Sequence, residues 1–153
     1  MMNTIATSAI NILALVILSR LVFSNSIIIR QRKKPFCVGI IITIIVILAE
    51  IGTIVAGGGG AEWRYLNITS NVLGFIFTPF IPLVLLAIFD VRVLKSHVYL
   101  LLPALINGIV AGLSPFFGFI FSIDADNRYT RGPFFLLFVT VYMLHILILV
   151  FSH

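Results

Sequence analysis

Five runs of roughly 20 predominantly apolar residues, parted by short polar segments, make up nearly all of this 153-residue chain. They occupy about residues 5–29, 36–56, 66–89, 98–122 and 134–151, and the segments between them are 30–35, 57–64, 90–97 and 123–133. A run of that length with so few charges matches the hydrocarbon thickness of a bilayer. Apolar side chains fill every side of each run without two-residue alternation, so the runs are expected to be helices and not strands of a membrane barrel. Composition points the same way: 61% of residues are hydrophobic and 10% charged, against about 45–50% and about 25% in soluble domains. A chain this small has too little interior to hide that surplus from water. The expected fold is therefore all-α, a single polytopic membrane bundle of five transmembrane helices. A soluble enzyme, a nucleic-acid-binding domain and a disordered tail are poor matches.

Orientation follows from the basic residues. Segment 30–35 carries Arg30, Arg32, Lys33 and Lys34, and segment 90–97 carries Arg92 and Lys95 against Asp90, so that side nets +5. On the other side Arg64, Arg128 and Arg131 are balanced by Glu62, Asp124 and Asp126. The basic side is expected to face the cytoplasm, giving an N-out/C-in arrangement in the cell membrane. Positive charge follows the first run instead of preceding it, which suits a retained anchor better than a cleaved signal peptide. The fifth run ends two residues before His153, an ending shared by complete proteins and by pieces of longer ones.

Polar groups inside the runs need partners. Arg20 lies near the inner end of its helix and is expected to snorkel to the interface. Glu50 is too short to do so; it should face the bundle interior or a wet cavity, or take up a proton. Asn71 lies at a similar depth in the third run, so a Glu50–Asn71 hydrogen bond is expected as one solution. Asn107 and His145 are expected to hydrogen-bond between helices. Gly108 and Gly112 form a GxxxG pair that permits close helix packing, within the chain or with a second copy. Pro79, Pro82, Pro103 and Pro115 are expected to kink their helices.

The outer segments are the most polar part of the chain. Glu50, Arg64, Asn71, Asp126, Asn127, Arg128 and Arg131 are candidate residues for a small extracellular ligand, the arginines clamping an anionic group and the acids accepting donors. The competing reading is that these segments simply stay wet while Trp63, Tyr65 and Tyr129 form an interfacial belt. Asp124 and Asp126 do not begin a calcium loop, because Tyr129 and Phe135 stand where Gly and Glu are needed. Gly57–Gly60 lacks the Lys-Ser/Thr of a phosphate-binding loop and is expected to be a flexible hinge. Asn67-Ile68-Thr69 matches a glycosylation sequon only weakly, at a membrane entrance. Cys37 is the single cysteine, and neither it nor His145 has neighbours in sequence suited to a metal or a catalytic group. No cofactor, metal or catalytic activity is expected.

Several of these segments resemble a known group. Glu62-Trp63-Arg64-Tyr65-Leu66-Asn67, Asn71-Val72-Leu73-Gly74-Phe75, Thr78-Pro79-Phe80-Ile81-Pro82, Leu113-Ser114-Pro115-Phe116-Phe117-Gly118 and the stretch from Ile123 to Pro133 resemble the N-terminal multi-pass region of Firmicutes GGDEF-domain diguanylate cyclases and related histidine kinases. The resemblance implies a membrane sensor, N-out and C-in in a bacterial cytoplasmic membrane, that feeds a cytoplasmic output domain. In those proteins the region has about seven helices; here there are five runs and no Gly-Gly-Asp/Glu-Glu-Phe motif, so the expectation is a truncated or split version without cyclase activity. The alternative expectation is a small transporter or assembly subunit whose intramembrane Glu50 carries protons or cations.

Overall fold

The apolar runs form the helices. In the computed structural model, which describes residues 2–24, 30–89 and 98–151, α1 is Met2–Ser24 and α2 is Arg30–Gly57. A 3-10 turn at Ala61–Trp63 leads into α3 (Arg64–Phe77) and α4 (Phe80–Phe89). A second, Val98–Leu100, leads into α5 (Leu101–Phe117), and α6 is Phe135–Phe151. Four stretches, Thr4–Ser24, Arg32–Gly57, Ala61–Phe89 and Val98–Phe117, are long and apolar enough to cross a membrane. The 17 residues of the largely apolar α6 reach only about 25 Å at 1.5 Å per residue. Residues 25–29 of the first run, and Asp90, Arg92 and Lys95 from the charge count, lie outside the described residues.

α1 lies against α2, α2 packs on α3 and α4, and α5 and α6 complete the bundle against α3 and α4. Large apolar side chains such as Ile10, Ile109, Leu136 and Phe151 point outward. Inside the bundle Leu83 and Leu86 are buried together with small and polar residues, Ala56, Ala104, Ala111, Asn107 and Ser114. Enclosed small and polar residues suit a hydrocarbon solvent, where close packing and interhelical hydrogen bonds hold helices together.

The prolines act differently from one another. Pro79 separates α3 from α4, so the third run is two helices joined by a turn in which the Ile81 N–H donates to the Thr78 carbonyl (3.1 Å). Pro82 and Pro103 do not kink anything: each is the third residue of its helix, where the missing N–H would have had no intrahelical partner. Pro115 lies within α5, and Pro35, expected in a loop, lies within α2.

The fourth run does not remain helical to residue 122. Gly118 adopts φ +67° and its N–H donates to the Ser114 carbonyl (2.7 Å), a left-handed cap that stops α5. Beyond it, β1 (Phe121–Ile123) pairs antiparallel with β2 (Tyr129–Arg131) in the register Phe121–Arg131, Ser122–Thr130, Ile123–Tyr129. The segment expected to be a loop is thus a hairpin. Its inward residues Phe121 and Ile123 join Ile120 and Ala111 in a core walled by Ile68, Val72, Phe75 and Phe138. The Phe121 ring stacks on Phe75 at 5.4 Å, and Phe138 meets Phe75 edge-on at 4.8 Å.

The polar groups within the bundle tie helices together. Asn107 Nδ2 donates to the Phe75 carbonyl (2.8 Å), bridging α5 to α3. Its Oδ1 is buried without a partner among the described residues. His145 on α6 sits with Nδ1 3.1 Å from the Pro79 carbonyl and Nε2 3.1 Å from the Leu100 carbonyl. A neutral ring donates to one of these at a time, so His145 fastens α6 either to the α3–α4 break or to the start of α5. His145→Leu should remove this tie and lower stability by about 1–2 kcal/mol, read as a lower unfolding temperature in detergent; an unchanged midpoint would show that the tie contributes nothing. Of the GxxxG pair, Gly108 faces Ile76 across the α3–α5 contact, whereas Gly112 faces open space.

Candidate functional site

Where α2, α3 and the hairpin meet, three asparagines form a chain of donors. Asn71 Nδ2 donates to the Asn67 carbonyl and to Asn67 Oδ1, both at 2.9 Å. Asn67 Nδ2 in turn donates to Asn127 Oδ1 (2.8 Å). Asn127 Nδ2 ends the chain on the carbonyls of Ala56 (2.7 Å) and Gly59 (3.2 Å) at the end of α2. Asn67 and Asn71 share a helix face because they are four residues apart. Asn127 reaches them from the hairpin turn by taking φ +64°, a conformation asparagine tolerates better than most residues. The turn is held by Asp124, whose Oδ1 accepts from the Arg128 N–H at 2.8 Å.

Arg64 makes the second tie. Its Nε donates to the Asp124 carbonyl (2.8 Å) and Nη2 to the Ile123 carbonyl (3.1 Å), so the first residue of α3 holds the end of β1. Arg131 lies over the Phe135 ring, with its guanidinium carbon 4.6 Å from the ring centre. That is a cation–π contact at the foot of α6. Burial pushes the Tyr129 phenol above its ordinary pKa, and the neighbouring Arg131 charge opposes the rise.

These ties frame a cleft built of two adjoining cavities. The outer one, about 410 Å³, is bounded by Gly57, Gly59, Asn67, Asp126, Asn127 and Arg128, with Thr53 and Asn71 deeper in. The inner one, about 280 Å³, shares Thr53 and Asn71 and continues past Glu50 to Val46, Ala49, Gly74, Phe75 and Phe138. The mouth is polar and the floor apolar, a lining suited to a small molecule.

Compared with family models, with curated proteins and with solved structures, the chain matches none.

The structure divides the residues predicted for the site. Glu50, Asn71, Asp126, Asn127 and Arg128 all line the cleft. Arg64 and Arg131 line neither cavity, because one guanidinium is committed to the hairpin carbonyls and the other to Phe135. The three-arginine clamp for an anion is therefore not assembled: Arg128 alone borders the cleft. The Glu50–Asn71 hydrogen bond is also not made. Asn67, one turn away with two acceptor oxygens, takes both contacts of Asn71 Nδ2. The four-glycine segment is not a free hinge, since its Gly59 carbonyl is held by Asn127 and its Gly59 N–H by Ala56 (3.0 Å). Among the lining residues outside the predicted set, Asn67 and Thr53 are the two polar ones that share a helix face with a predicted residue. The signals for them were in the spacing: Asn67 is four residues before Asn71, and Thr53 three after Glu50, so each shares a face with a residue already singled out. Asn67 is buried, which fits a hydrogen-bonding role better than glycan attachment.

Proposed function

We propose that this chain is the ligand-receiving part of a membrane sensor, with five spans, its N-terminus and the hairpin outside, and the basic residues at the cytoplasmic face. The observation that carries the reading is the cleft: a polar mouth over an apolar floor, with one wall supplied by a hairpin that is pinned to α2 and α3 by hydrogen bonds. The charge asymmetry supports the orientation. The motif resemblance to the sensor regions of diguanylate cyclases and histidine kinases favours reception over transport. In this reading the residues here bind and transmit, and any catalysis belongs to a cytoplasmic output domain.

Transmission has a natural carrier. α2 spans 28 residues, about 42 Å, and contributes Glu50 and Thr53 to the cleft at one end and Cys37 near the other. A ligand seated between α2 and the hairpin displaces α2 as a rigid rod, with the Pro79 turn as the yielding point beside it.

Cysteine labelling tests the arrangement. In a Cys37→Ser background, Thr53→Cys is expected to react with a membrane-impermeant maleimide added outside intact cells, while Ile41→Cys, on the exposed apolar face of α2, stays unreactive. Labelling of Thr53→Cys only from the cytoplasmic side would reverse the orientation. Failure to label from either side would mean that no open cleft exists.

A further inference from the structure

The charges and the surfaces around the cleft together specify an occupant. Its ionisable lining amounts to two carboxylates, Glu50 and Asp126, against one guanidinium, Arg128, with the Tyr129 phenol neutral. The inner cavity holds Glu50 as its single charged group. Thr53 Oγ1 donates to the Glu50 backbone carbonyl (2.8 Å), and among the described residues the Glu50 carboxylate meets no cation or donor. A short acid cannot reach the interface from within a span, and a carboxylate left unpaired at that depth is costly. Its complement is a cation that can enter hydrocarbon.

The surroundings narrow the class. Val46, Ala49, Phe75 and Phe138 make the floor beside Glu50 apolar, which suits a hydrocarbon chain. Glu50 is exposed, so the inner cavity is open beside its carboxylate as well as through the polar mouth. We propose that the cleft binds a monocationic amphiphile, a primary amine on an apolar chain. The ammonium would sit at Glu50 beside Thr53 and Asn71, and the chain would lie along Phe75 and Phe138. The inference rests on the ligand-binding reading above and adds the chemical class.

Trp63, the single tryptophan, provides the readout, because its indole lies against Gly59 at the mouth. The full chain in phosphatidylcholine nanodiscs would be titrated with dodecylamine, dodecanol, dodecyl phosphate and butylamine while Trp63 fluorescence is followed. Saturable binding is expected for dodecylamine, with at least about tenfold weaker binding of dodecanol and a similar loss for dodecylamine in Glu50→Gln. Gly74→Leu, which fills the floor where an added Cβ would meet only Ala49 at 4.0 Å, should weaken dodecylamine and spare butylamine. Butylamine binding as tightly as dodecylamine would keep the amine assignment and make the source aqueous. Equal or tighter binding of dodecanol or dodecyl phosphate would overturn the amine assignment while leaving the cleft as a ligand site. Saturation by none of the four would overturn both readings.

Discussion

Asn127→Ala should release the hairpin from the bundle. The substitution strands the carbonyl of Ala56 and the Nδ2 of Asn67 in a buried place without their partner, and it forces alanine into a left-handed backbone. Each stranded group costs about 1–3 kcal/mol and the backbone about 1 kcal/mol more. A total loss of at least about 3 kcal/mol is expected, among the larger effects a single substitution produces. Unfolding in detergent measures the total, and limited trypsin digestion at Arg128 and Arg131 reports the hairpin itself. Asn127→Gly accepts the backbone conformation, so it should recover about 1 kcal/mol and no more. Asn127→Asp can still accept from Asn67 but cannot donate to the carbonyls of Ala56 and Gly59, so it should not rescue. Trypsin resistance equal to wild type in Asn127→Ala would show that the amide chain does not hold the hairpin.

Gly132→Ala should be nearly as severe, for a steric reason. A Cβ at this position would fall against the backbone carbonyls of Gly118 and Phe119. The chain cannot retreat, because the Gly132 N–H donates to the Ile120 carbonyl and the Phe134 N–H to the Phe119 carbonyl, both at 2.8 Å. Side chains can rotate away from an added methyl; backbone held on both sides cannot. The expected loss is about 3 kcal/mol, the upper end of overpacking costs. Gly118→Ala should be milder, about 1 kcal/mol, since its Cβ would meet only the Ser122 Cβ at 3.7 Å and the cost is that of the left-handed backbone. Comparing the two unfolding midpoints tests the argument, and a larger effect at Gly118 would sink it.

The candidate site was legible in part. Glu50, Asn71, Asp126, Asn127 and Arg128 were identifiable because ionisable or amide groups near or inside apolar spans demand an explanation. Arg64 and Arg131 carried the same chemical signal and turned out to hold the hairpin and a phenylalanine ring. An arginine's five donors serve a ligand or a backbone carbonyl equally well, so residue type alone does not separate the two uses. The hairpin escaped notice for another reason. Its strands are three residues each, shorter than any window in which alternation can be recognised against a run of apolar residues.

The division between sequence and tertiary structure follows the range of the forces. That the chain is a bundle of apolar helices was legible from composition and run length, because in hydrocarbon each segment must satisfy its own backbone, and a helix does so within four residues. The stop at Gly118 and the break at Pro79 are local as well, each acting on its own backbone, yet the fourth run was expected to stay helical to residue 122 and Pro79 only to kink its helix. Packing between distant segments brings Asn67 to Asn127 from 60 residues away, turns Arg64 to the hairpin carbonyls and sets a cleft beside Glu50. Those outcomes depend on which helix faces abut, and that is set by close packing among many side chains at once, which no local period records.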